Sequence, residues 1–68
     1  MSYKRIEVFE RGETFWFKEN DTWKQKIFLQ RLKTSVKELR IIQYFDPEKD
    51  RVISRLFGTG ISFRVRLP

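Results

Sequence analysis

The chain has 68 residues, a net charge of +6, no cysteine and no histidine. A domain this small buries only about 60% of the surface its unfolded chain exposes, and without thiol or imidazole it has neither a disulfide nor a Cys/His zinc site to staple it. The burden falls on seven Phe, two Trp and two Tyr, side chains that each bury a large area.

Residues 1–68 read as a single domain. No apolar run approaches the roughly 20 residues of a membrane span, and the first residues show no charged segment leading into an apolar one. The expectation is an intracellular protein, cytoplasmic or nuclear, or a soluble piece of something larger, with no membrane partner. Charge is uneven along the chain. Residues 1–21 hold four basic and five acidic side chains, whereas residues 22–68 hold eleven basic and four acidic. A basic excess confined to one part of a chain points to a polyanionic partner.

Residues 3–10 alternate, with Ile6 and Val8 on one side and Arg5 and Glu7 on the other, so a strand is expected there. Arg11-Gly12-Glu13 breaks it. Thr14–Glu19 is aromatic and β-branched, a second strand; Trp16 faces away from Phe15 and Phe17. Asn20-Asp21 admits two readings. Both residues tolerate positive φ and can form a hairpin tip, or they can cap a helix over residues 22–33. The helical wheel is poor, since Trp23 and Ile27 fall opposite Phe28, Leu29, Leu32 and Val36. Alternation favours a strand with Trp23, Ile27 and Leu29 on one face and Lys24, Lys26 and Gln30 on the other, although Phe28 and Leu32 break it. Residues 39–45 form another strand, with Leu39, Ile41, Gln43 and Phe45 opposing Arg40, Ile42 and Tyr44. Asp46-Pro47-Glu48-Lys49-Asp50 is a turn, residues 51–57 return, and Gly58-Thr59-Gly60 turns again. Residues 61–67 alternate most cleanly: Ile61, Phe63, Val65 and Leu67 inward, Ser62, Arg64 and Arg66 outward.

Short strands at this spacing predict an all-β domain, a sandwich or small barrel; a barrel of five to six antiparallel strands would also remove the edges such an aromatic hairpin exposes. The alternative is an α+β chain, ββα followed by three strands. Gly12, Phe15-Trp16-Phe17, the turn at Asn20-Asp21, Trp23 leading into Lys26-Ile27 and Leu29, and the third strand ending at Asp46 together resemble an SH3-like barrel of the Tudor or retroviral-integrase C-terminal type. The likeness covers residues 12–57. It departs from the family at both ends, where residues 3–10 and 61–67 exceed five strands, and at Glu13, where an aspartate is common. It implies a binding module for DNA, RNA, peptides or methylated side chains.

No catalytic constellation appears. The serines lack a neighbouring base, and the pairs Glu7/Glu10 and Glu48/Asp50 read as solvated charge, so the chain is expected to be no enzyme and to need no cofactor or metal. The expected function is nucleic-acid binding, DNA or RNA, mainly through the backbone. The expected contacts are Lys24, Lys26, Arg31, Lys33, Arg40, Arg55, Arg64 and Arg66, with Lys24/Lys26 and Arg64/Arg66 forming an outward ladder if their strands are neighbours. Trp16, Trp23 and Tyr44 are the candidates for base stacking or an ammonium cage, and Phe9, Phe15, Phe17, Phe28, Phe45, Phe57 and Phe63 are assigned to the core. Two alternatives stand: a module docking on an acidic protein, such as a phage- or plasmid-type regulator, and a Tudor-like reader of methylated peptides.

Overall fold

A computed structural model describes residues 3–66. Six strands form one antiparallel sheet in the order β1-β6-β2-β3-β4-β5. They are β1 (Tyr3–Arg5), β2 (Thr14–Glu19), β3 (Thr22–Leu32), β4 (Leu39–Asp46), β5 (Arg51–Gly58) and β6 (Ser62–Arg64). The fold is all-β, with no α-helix among the described residues, so the helical alternative for residues 22–33 is overturned. The reason sits at Asn20 and Asp21, whose φ angles of 50° and 63° put both in the left-handed region. A two-residue hairpin with this geometry matches the twist of its flanking strands, and β2 and β3 pair through it along the whole length of β2.

β2, β3, β4 and β5 form a meander, and the chain then returns so that β6 pairs with β2 on one side and β1 on the other. The sheet curls strongly. Phe17 on β2 and Phe57 on β5 have ring centroids 6.2 Å apart, although β3 and β4 lie between them; in a flat sheet the two strands would stand about 14 Å apart. Curling does not close the sheet. β1 and β5 share no ladder among the described residues, and each remains an edge.

The concave side holds the core: Ile6, Phe9, Phe15, Phe17, Phe28, Ile42, Tyr44 and Phe63. Phe15 is central to it, with rings of Phe9, Phe17, Tyr44 and Phe63 at 5.2, 6.0, 5.9 and 5.0 Å. Two expectations about this core fail. Residues 3–10 are not one strand; after β1 the chain makes a 3-10 turn over Ile6–Val8. That turn buries Ile6 and Phe9, three residues apart, and leaves Val8 exposed. Phe45, expected inside, lies on the convex side opposite Ile27 and Val52. The last strand is shorter than expected, and Leu67 lies outside the described residues. Arg31 ties the 3-10 turn down, donating to the carbonyls of Ile6 (3.1 Å) and Phe9 (2.8 Å) from above the Phe28 ring.

One ion cluster enters the core. Lys26 and Asp46 are each only 1% exposed, and the ammonium donates to Asp46 Oδ2 at 2.6 Å and to Glu19 Oε1 at 2.9 Å. Asp46 Oδ1 also accepts the backbone N–H groups of Glu48 and Lys49, closing the β4–β5 turn. Burial disfavours both charges, but the pairing prevails: the Asp46 carboxyl is held below its ordinary pKa by Lys26 and the two amides, and Lys26 is held above its own by Asp46 and Glu19. Stability from Asp46 is complete above its unfolded pKa and is lost as pH falls through the lowered folded value. Stability from Lys26 is complete below its unfolded pKa and is lost as pH rises through the raised value. Urea unfolding at a series of pH values should therefore give a plateau that declines below about pH 4 and again above about pH 10.5. Asp46→Asn should flatten the acid limb, and an unchanged acid limb would disprove this assignment.

Candidate nucleic-acid interface

Directly paired residues in an antiparallel sheet share a face, so the registers sort every candidate. Phe15 pairs with Lys26 and Phe17 with Lys24; because the two phenylalanines point into the core, so do the lysines. This corrects the expected outward placement of Lys24 and Lys26. Lys26 is buried with Asp46, and Lys24 reaches back to Glu48 at 2.9 Å. Arg31 pairs with Ile42, Arg40 with Phe57 and Arg55 with Ile42 across the other ladder, so these three also start from the concave side. Arg31 holds backbone carbonyls, as does Arg40, which donates to Lys37 and Leu39. Arg55 caps the rings of Phe17 and Phe57 at 5.2 and 5.3 Å. Lys33 lies in the loop after β3, and Arg66 lies beyond β6. No ladder of positive charge joins β3 to β6, because β2 lies between them. Tyr44, a candidate for stacking, is 1% exposed and belongs to the core.

The remaining candidates converge on the convex side. Trp16 pairs with Arg64 on one flank and Gln25 on the other, Lys18 pairs with Trp23, and Tyr3 pairs with Arg64. Four strands thus bring Tyr3, Arg64, Trp16, Lys18 and Trp23 onto one surface. The Arg64 guanidinium carbon lies over the Trp23 ring, 5.0 Å from its centre, and 5.4 Å from that of Tyr3, and Lys18 Nζ lies 5.5 Å from that of Trp23. Neither cation forms an ion pair among the described residues. Trp16 has no aromatic or cationic partner among them either. These side chains, with Ser62, line a depression of about 250 Å³. That is slightly below the range of small-molecule pockets. Tyr3 and Lys18 are the members that sequence reasoning missed. The pairing implied by the Asn20-Asp21 hairpin could have found Lys18, since it places Lys18 directly opposite Trp23.

A second depression, of about 330 Å³, is lined by Arg31, Leu32, Lys33, Thr34 and Arg40. It lies at the far end of β3 from Trp23 and has no aromatic ring in its wall. Among the described residues no group of acidic side chains could hold a metal ion, and no helix is long and apolar enough to cross a membrane. No known family, curated protein or solved structure matches the chain.

Proposed function

We propose that this protein binds single-stranded nucleic acid, DNA or RNA, on the convex face around Trp16, Trp23 and Arg64. The observation that carries the reading is the company Arg64 keeps: a guanidinium over two aromatic rings, without a carboxylate partner among the described residues, beside a tryptophan that stacks on no other ring among them. Bases stack on exposed aromatics and on guanidinium planes, while free cations neutralise the phosphates. Trp16 supplies the stacking platform, and Arg64 and Lys18 supply the charge. The β2–β5 meander with β6 returning onto β2 supports an SH3-like reading of the fold, which hosts such modules; fold alone does not assign the function. A methylated-peptide reader fits less well. Tyr44 is withdrawn into the core, and Arg64 stands where a quaternary ammonium would have to enter, so like charges would meet.

The test is a fluorescence titration with a ten-nucleotide single strand and a duplex of the same sequence, each at two salt concentrations. Tryptophan quenching by the single strand is expected, weakening steeply with salt. Trp16→Ala should cost about 1–3 kcal/mol of binding, and Arg64→Ala should reduce affinity and lower the salt slope, with both variants still folded by circular dichroism. Failure to bind at low salt, or equal losses on neutralising Lys33 and Lys37, would sink the proposal.

A further inference from the structure

β5 has a free edge, and the chain has prepared both of its faces. On the convex side, two apolar rows run across the sheet and end there: Ile27–Phe45–Val52 and Leu32–Ile41–Leu56. Between them runs a polar row in which Gln30 donates to Gln43 (2.6 Å) and Gln43 donates to Ser54 (3.2 Å). All three rows stop at β5, where Val52 and Leu56 remain 54% and 56% exposed. On the concave side the same strand carries Arg51, Ile53, Arg55 and Phe57, and neither arginine has an acidic partner among the described residues. Among these residues β5 pairs with β4 alone.

We propose that this edge accepts an extended, acidic segment of a partner protein as a seventh, antiparallel strand. Strand addition draws affinity from backbone hydrogen bonds and specificity from alternate side chains. The register then dictates the partner's pattern over six residues. An apolar residue faces Leu56, an acidic one Arg55, a small polar one Ser54, an apolar one Ile53, another apolar one Val52, and an acidic one Arg51. Each convex row is extended by one member, and each arginine gains a counter-charge. A second copy of this chain fits less well. Antiparallel self-pairing centred on Ile53 sets Arg51 against Arg55, pairing centred on Arg55 sets that residue against itself, and pairing centred on Ser54 avoids the clash but sets the arginines against Phe57 and Ile53, leaving both without a counter-charge. Charges pointing inward from an edge are a known defence against edge-to-edge pairing of like chains, and the copies would each carry +6. The proposal is independent of nucleic-acid binding on the convex face around Trp16.

The probe is a capped peptide with the central sequence Val-Glu-Thr-Val-Val-Glu, and the control replaces both glutamates by lysine. With the full chain, the acidic peptide is expected to shift the amide resonances of residues 51–58 and slow hydrogen exchange at β5 amides, leaving the Trp16 and Trp23 indole signals unmoved. Arg51→Glu, at an exposed position, should weaken the acidic peptide about tenfold and strengthen the lysine peptide. Equal binding of the two peptides by the unsubstituted chain overturns the proposal, as does an absence of β5 shifts at millimolar peptide. Sedimentation showing a dimer whose formation protects β5 would instead assign the edge to a second copy.

Discussion

Replacing Lys26 by Met is expected to destabilise the domain by about 3–5 kcal/mol, the usual cost of removing one partner from a buried pair. Whole-domain stability for a chain of this length is of the order of 3–10 kcal/mol, so Lys26→Met should be partly or wholly unfolded at room temperature. The loss comes from what is left behind. Asp46 is as buried as Lys26 and would keep its charge in the core without a counter-ion. The double variant Lys26→Met/Asp46→Asn separates this from simple packing. Asparagine can still accept the Glu48 and Lys49 amides through its side-chain oxygen, so the β4–β5 turn survives while the stranded charge goes. Glu19, whose side chain is 28% exposed, can turn to water. Most of the lost stability should therefore return in the double variant, read as the urea midpoint by tryptophan fluorescence. If the double variant is no more stable than Lys26→Met alone, the charge pair is not what holds this end of the core.

The second large effect is expected at Phe15. Phe15→Ala removes a fully buried ring that touches rings from β2, β4, β6 and the segment after the 3-10 turn. Such truncations cost about 3–5 kcal/mol, transfer and cavity together. In a domain this small and without disulfides, that should leave no cooperative thermal transition. Phe45→Ala is the matched control, the same substitution on the convex side, where the ring is only partly covered. It should cost clearly less than Phe15→Ala and leave the transition intact. Equal losses at the two positions would contradict the placement of Phe45 outside the core.

Much of the fold was legible. Alternation located β2 to β5, and the turn residues located their connections, because a half-buried strand repeats every two residues whatever lies around it. Side-chain facing was harder. Lys24 and Lys26 looked like an exposed pair because charge normally points to water. The two-residue hairpin already implied otherwise: it pairs Phe15 with Lys26, and a ring that points inward carries its opposite residue with it. The candidate site was half legible. Trp16, Trp23 and Arg64 were named from type and position, whereas Tyr44 was chosen as an aromatic on a strand and is spent on the core.

By itself, then, the sequence determined an aromatic-rich chain of short strands with an excess of positive charge, and narrowed Asn20-Asp21 to a hairpin tip or a helix cap. These depend on local conformation and composition, which each residue carries with it. Only the tertiary structure decided which cations are free. Strand order put β2 between β3 and β6, so the expected ladder of charge never forms. The β3–β4 register set Lys26 beside Asp46, curling of the sheet set Arg55 over Phe17, and pairing of β6 with β1 and β2 gathered Tyr3, Trp16 and Arg64. Those are contacts between residues distant along the chain, and no local pattern encodes which strand will be whose neighbour.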